Sequence, residues 1–343
     1  MLSYNVSTMQ QMRGINLGGW LVAERWITPE LFDGVEHDGE IALVRELGRK
    51  KASQRLEEHR RSFITKKDFL WIQQHGFDVV RVPVGYWLFE ETDDFVDGER
   101  YLKKAFRWAQ EIGLKIILDF HGLQGSQNGM DHSGSAGPIR MYWPWNRRKA
   151  LKTLEYMCKT YGTESALVGL EVINEPLDRW FLWRLMGYYD KAFAIASQYL
   201  PPECKIIVSD ALKPRLTAKK LQGKPYSGRI VLDIHLYQAH YYDNDPAAAT
   251  LGFDEHLEKV RMEWKNLLHE LSADFEILVG EWSAGLPARA YIDMPGGESA
   301  WVAEFLHTQR KLFEDYAWAE CYWTYKAPQW GVWDYRSIAH LDK

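Results

Sequence analysis

Glu175 and Glu281 each close an apolar run, the first spanning 167 to 174 and the second 276 to 282. A carboxylate delivered by a hydrophobic strand and followed by Pro176 is a placed group, because the strand supplies rigidity and the proline turns the chain away. Two such carboxylates on facing walls make a general acid and a nucleophile when one holds a proton and the other does not. A glycosidic bond needs that pair on its two sides, and retaining chemistry sets the carboxyls only about 5–5.5 Å apart. Arg81, in the run 79 to 84, is placed to keep Glu281 ionised, since a neighbouring cation lowers a carboxylate's pKa. Glu175 is then the expected neutral member, kept so by the charge of Glu281 and by partial desolvation. Asn174 beside it offers a donor to a sugar hydroxyl.

Other chemistries lack their residues. No HExxH occurs, the first apolar run ends Asn16-Leu17-Gly18 where a metal-dependent barrel hydrolase would carry an HxH pair, and His235 and His240 are not at ligand spacing. A GxSxG elbow after a strand is missing, as are GxGxxG and GxxxxGK[ST]. Neither a metal nor an organic cofactor is expected.

The elements that must hold the two glutamates are visible as eight short apolar runs, at 12 to 18, 79 to 84, 115 to 120, 167 to 174, 205 to 210, 230 to 237, 276 to 282 and 319 to 326. Between them, 101 to 113, 147 to 162, 253 to 271 and 301 to 316 carry apolar residues at three- and four-residue spacing, which predicts amphipathic helices. Eight strand–helix units predict a single (β/α)₈ barrel over 1 to 343, with two long insertions: 19 to 78, expected to hold two helices, and the glycine-containing 122 to 146. So little chain follows the eighth run that the last helix must be short or absent. Barrel sites form at the C-terminal strand ends. That rule selects Asn16, Glu24, Arg81, His121, Asn174, Glu175, Asp210, His235, Tyr237, Glu281 and Trp323. Glu171, Asp119 and Asp233 lie further down the strands and read as supporting groups.

The 42 basic and 47 acidic residues give a net charge of −5 and no long basic run, so nucleic acid is not an expected partner. Nor is a membrane, because no window approaches the ~18 consecutive apolar residues a span requires. The three cysteines form no CxxC pair, and the N-terminus lacks a charged start followed by an apolar stretch. The expected location is cytoplasmic, or extracellular if an export signal has been removed. The 16 Trp, 18 Tyr and 14 Phe are an unusual load, and the few not needed for the core suit the flat C–H faces of sugars.

The segments RGINLGGWLVAE (13 to 24), VVRVPVGYW (79 to 87), DFHGLQGSQNGMDHSG (119 to 134), INEPL (173 to 177), HLYQ (235 to 238) and GEWSAG (280 to 285) together resemble glycoside hydrolase family 5, nearest its fungal-type exo-β-1,3-glucanase branch. The resemblance runs from about residue 13 to 326. It implies a retaining mechanism with Glu175 as acid/base and Glu281 as nucleophile, acting on a β-glucan oligo- or polysaccharide. It also implies site roles for Arg81, His121, Asn174, His235 and Tyr237, with Trp323 as the floor under the non-reducing glucose. Glu24 and Asn128 match positions that hold hydroxyls of that sugar, and Trp26 matches an aromatic position. A broader β-glucosidase, or an endo-acting β-glucanase for β-1,6 or β-1,4 linkages, stays open on the residues alone. A non-catalytic sugar-binding barrel would normally lose one carboxylate, and both are present.

Overall fold

The computed structural model describes residues 11–90, 92–178, 182–239, 250–287, 290, 298–329 and 331–342. Runs rich in Val, Ile and Leu with burial on both faces form parallel strands, because crossover helices cover the outside while side chains fill the inside. The strands are β1 (Met12–Asn16), β2 (Val79–Gly85), β3 (Lys115–Gly122), β4 (Leu167–Glu171), β5 (Lys205–Ser209), β6 (Ile230–Leu236), β7 (Glu276–Trp282) and β8 (Ala319–Tyr322). They pair in order, all parallel, and β8 closes on β1 through Met12–Ala319 to Ile15–Tyr322. This is the expected (β/α)₈ barrel. Several predicted runs outlast their strands: Asn174, Asp210 and Tyr237 lie beyond the ladder, where the backbone leaves the sheet to form the loops of the C-terminal face.

The helices are α1 (Glu40–Leu47), α2 (Arg49–Ser62), α3 (Lys66–Gln74), α4 (Glu99–Ile112), α5 (Pro144–Tyr161), α6 (Trp183–Tyr199), α7 (Pro214–Leu221), α8 (Phe253–Lys259, continued through a π-turn at Val260–Trp264 into Lys265–Ser272), α9 (Glu298–Tyr316) and α10 (Tyr335–Ile338). Segment 19 to 78 thus holds three α-helices where two were expected, because Gly48, at φ +76°, breaks one apolar pattern into α1 and α2. The last α-helix among the described residues is one turn long. Among the described residues no helix is long and apolar enough to cross a membrane.

The two long insertions meet above the barrel. The Ile41 N–H donates to Gly134 O at 3.0 Å, joining the start of α1 to the loop after β3. Gly134 needs its missing side chain, since a Cβ there would sit 2.4 Å from the Trp87 ring and the residue has φ +85°.

Candidate active site

Arg81 stands at the centre of the barrel, fully buried, and organises the site from below. Its Nε and Nη2 donate to Glu171 Oε2 at 3.0 and 2.8 Å, while Asp119 Oδ2 lies 3.1 Å and Asp233 Oδ2 3.9 Å from Nη2. Its upper side faces the strand mouths. Nη1 donates to Asn16 Oδ1 and to Glu281 Oε1, both at 2.9 Å, and Nη2 donates to Asn174 Oδ1 at 2.9 Å. One guanidinium therefore fixes side chains from β1, β7 and the end of β4 in a planar fork. Asn16 is locked a second time, its amide donating to Gly280 O at 2.8 Å and Cys321 O at 3.0 Å.

The two glutamates converge above this layer. Glu281, on β7, receives Arg81 on Oε1 and the Tyr237 hydroxyl on Oε2 at 2.9 Å. Glu175 sits just past β4 at φ +40°, a conformation that costs on the order of 1–3 kcal/mol and holds only where the surroundings enforce it. Here they do: the Leu177 N–H donates to Gln127 O at 3.0 Å, and the Gln127 amide donates to Asn174 O at 3.1 Å, tying the β4 end to the β3 loop. His235 bridges the pair, with Nδ1 2.7 Å from Glu175 Oε1 and 3.5 Å from Glu281 Oε2. A carboxylate oxygen of each glutamate and a His235 nitrogen all lie within 4.8 Å of one another.

The protonation pattern corrects the expectation that Glu175 is the neutral member. Burial alone would raise its pKa, but the His235 hydrogen bond, reinforced by the charge of His235, brings it well below the usual carboxylate range. The surrounding charges favour the protonated form of His235. Burial works against that cation, yet Glu281 above all, then Asp233 and Glu175, hold its pKa well above the ordinary histidine value. Its Nε2 lies 3.3 Å from Asp233 Oδ2, so the protonated ring donates to a carboxylate from each nitrogen.

The remaining predicted residues line the same mouth. The His121 Nδ1–H donates to Asp119 Oδ2 at 2.6 Å, and its Nε2 lies 3.3 Å from the Asn174 amide. Trp323 is buried with its ring stacked on His121 at 5.9 Å between centroids. The Trp26 indole N–H donates to Glu24 Oε2 at 3.0 Å, and its ring meets Trp333 edge-on at 5.7 Å. Glu24 is buried, which pushes its carboxyl up to about 8, and its Oε1 has no protein partner among the described residues. Asn128 is committed to its own loop, its Oδ1 accepting from the Met130 N–H at 3.0 Å and its Nδ2 lying 2.7 Å from His132 Nε2. Asp210, buried beyond β5, is pushed up to about 7 by its surroundings and caps the turn by accepting the Leu212 N–H at 2.8 Å. His240 lies outside the described residues.

His132 was missed in the sequence. Its Nε2 lies 3.4 Å from Glu175 Oε2, and its ring meets His121 edge-on at 5.3 Å. His132 lies within the segment 119 to 134 that carries the resemblance, but no role was assigned to it, because the fold of that glycine-rich loop decides where it points.

Comparison with known proteins agrees with this architecture. Residues 48–327 match the model of the cellulase family, glycosyl hydrolase family 5. A probable glucan 1,3-beta-glucosidase A of Aspergillus niger is 32% identical over 309 residues, covering 88% of this chain and 72% of the relative. The chain belongs to glycosyl hydrolase family 5. It is a glycoside hydrolase. Glucan 1,3-beta-glucosidase 1 of Schizosaccharomyces pombe is also 32% identical, over 95% of this chain and 86% of the relative. Among solved structures, the rutinosidase from Aspergillus niger superposes with a TM-score of 0.76 at 21% identity, covering 93% of this chain and 90% of that one. Endoglucanase Cel5A from Thermotoga maritima superposes at 0.61 and 15%, covering 96% of each chain. Both share the fold.

Proposed function

We propose that this glycoside hydrolase releases glucose from the non-reducing end of β-1,3-glucan with retention of configuration, Glu281 acting as nucleophile and Glu175 as acid/base. The observation that carries the reading is the approach of the two carboxylates: oxygens of Glu175 and Glu281 fall within 4.8 Å. Retaining enzymes bring these groups to about 5–5.5 Å, whereas inverting enzymes leave about 6.5–9.5 Å for a water. Exo action is supported by the Ile41–Gly134 contact, which joins the two insertions near the end of β3. The β-1,3 linkage rests on the relatives named glucan 1,3-beta-glucosidase.

The proton follows from the charges. As Glu281 Oε attacks C1 it becomes an ester and loses its charge, the strongest of the charges that hold the proton on His235. That proton then passes across the 2.7 Å bond to Glu175 and on to the departing glucosyl oxygen. In the second half Glu175 takes a proton from water and returns it to His235, the water oxygen bonds to C1, and Glu281 leaves as a carboxylate. Arg81 and Tyr237 hold the two oxygens of Glu281 throughout. Glu24, with its unpartnered Oε1, accepts a hydroxyl of the terminal sugar, and Trp323 forms the floor beneath it.

Proton NMR of a linear β-1,3-glucan digest tests all three elements at once. β-Glucose is the expected first signal, before mutarotation. α-Glucose would overturn retention, and a ladder of oligosaccharides would overturn exo action. Cleavage of gentiobiose or cellobiose in preference to the β-1,3 disaccharide would overturn the linkage. Glu281→Gly is expected to abolish turnover of every glucoside, while Glu175→Ala lowers kcat/KM on poor leaving groups roughly a hundredfold more than on dinitrophenyl glucoside.

A further inference from the structure

Glu175 lies between two histidines, and they differ in charge. His235 is the donor on Oε1, while His132, on the 3-10 turn Asp131–Ser133, faces Oε2 at 3.4 Å. The state of His132 is written in its neighbour. The Met130 backbone N–H can only donate, so the oxygen it reaches at 3.0 Å is fixed as Asn128 Oδ1. The other end of that amide, Nδ2, therefore points at His132 Nε2, 2.7 Å away, and must donate to it. An imidazole nitrogen that accepts carries no proton, so the ring is the neutral Nδ1–H form. The loop is too well tied to relax this arrangement: the Gly129 N–H donates to Ser126 Oγ at 2.7 Å, and the Ser126 and Ser133 hydroxyls are bonded at 2.7 Å.

We propose that His132 is a positioning residue for acid catalysis: kept uncharged by the amide of Asn128, it leaves Glu175 free to take up and deliver the proton held on His235. This rests on Glu175 being the acid/base. A second cation at Oε2 would hold the carboxylate ionised from both sides, and the proton from His235 would not move through it to a poor leaving group. The groups facing His132 are Glu175 beyond β4, His121 on β3, Asp131 beside it and Glu281 on β7. Burial outweighs the three carboxylates among them and keeps the pKa of His132 below the ordinary 6.5, in agreement with the Asn128 bond.

Two measurements test this. The first is independent of activity: the His132 ring carbon signal, followed by NMR in the wild-type protein and assigned by its loss in His132→Gln, is expected to titrate below pH 6.5. A midpoint above that value overturns the proposal even if the enzyme proves to cut a different glucoside. The second uses Asn128→Ala, which removes the donor and lets His132 protonate more readily. The acid limb of kcat/KM on laminaribiose is expected to move up by about one pH unit, about a tenfold loss at pH values below both midpoints. On dinitrophenyl glucoside, which needs no proton, the limb stays in place. Asn128→Ala combined with His132→Gln removes the titrating ring and is expected to cancel the upward shift, leaving a limb no higher than that of the wild type. An unmoved limb in Asn128→Ala, an equal shift on the activated glucoside, or a shift that persists in the double variant each overturns the proposal. Asn128→Asp, which gives the ring an acceptor, is expected to raise the His132 midpoint further, and an unchanged midpoint there has the same consequence.

Discussion

Glu24 shows what a substrate-ready carboxyl does to the ligand-free protein. In the folded state burial pushes its pKa up to about 8, against 4.5 in an exposed chain. Between those values the folded state keeps a proton that the unfolded chain has released, so the stability it provides is complete below about pH 4.5 and is lost as pH rises through about 8. Glu24→Gln removes this dependence while preserving shape and the position of an acceptor. The melting temperature of the ligand-free wild type is expected to fall from pH 5 to pH 8 more steeply than that of the variant. The differential is on the order of a few kcal/mol, and KM for β-1,3-glucan rises in the variant. Parallel melting curves would refute the buried, protonated state. At this scale the sequence identified which residues meet, because strand ends define the mouth, but not which of them holds the proton. Glu175 looked like the neutral carboxyl when the charge of Glu281 and its own desolvation were considered, whereas His235 from β6 reverses that balance. That contact is set by tertiary geometry, and no local pattern encodes it.

Among the elements, β6 and β7 set the height of the nucleophile, and a glycine controls their approach. The Gly280 N–H donates to Asp233 Oδ1 at 2.7 Å, and a Cβ at this position would lie 2.3 Å from either carboxylate oxygen of Asp233. Gly280→Ala must push β7 from β6 or displace Asp233, and Glu281 is the next residue along the strand. The expected result is a kcat/KM on aryl β-glucoside lowered about a hundredfold, as a misplacement near 1 Å can produce, with about 1–3 kcal/mol lost from stability. Wild-type kinetics in a variant with an unchanged melting temperature would show that the close approach is not needed. The apolar centre of every strand was legible in the sequence, but the strand ends were not. Runs read as far as 174, 210 and 326 correspond to ladders ending at Glu171, Ser209 and Tyr322. The sequence stays apolar there because the loop roots are buried too, so hydrophobicity does not mark where pairing stops. For the same reason the helical period across 253 to 271 conceals the π-turn at Val260–Trp264.

Across the whole molecule, the question is whether the insertion from 19 to 78 unfolds with the barrel. It has a small apolar cluster of its own, in which Phe32, Leu43, Ala52 and Leu56 are fully buried. It also contains the buried ion pair Glu40–Arg60 at 2.6 Å. That pair is tied within the insertion, where Glu40 accepts the Ala23 N–H at 3.1 Å and Arg60 O accepts the Trp20 indole at 2.9 Å, and out of it, where Arg60 donates to Val96 O and Asp97 O at 3.0 and 2.8 Å. Ala23 leads directly to Glu24, and the chain at 96–97 leads into α4 of the barrel. The pair is therefore a joint between insertion and barrel. Glu40→Ala leaves the Arg60 guanidinium buried without its carboxylate, at a cost of about 3–5 kcal/mol. If the 343 residues unfold as one unit, that cost lowers a single transition by about 4–7 °C. Tryptophan fluorescence, far-ultraviolet dichroism and loss of glucosidase activity then coincide in temperature, in the variant as in the wild type. If the insertion unfolds alone, Glu40→Ala splits the transition, and activity disappears with the earlier step because Glu24 and Trp26 leave the mouth while the barrel is still folded. Only the coincident outcome is compatible with a single domain in which the sugar pocket and the barrel share one stability.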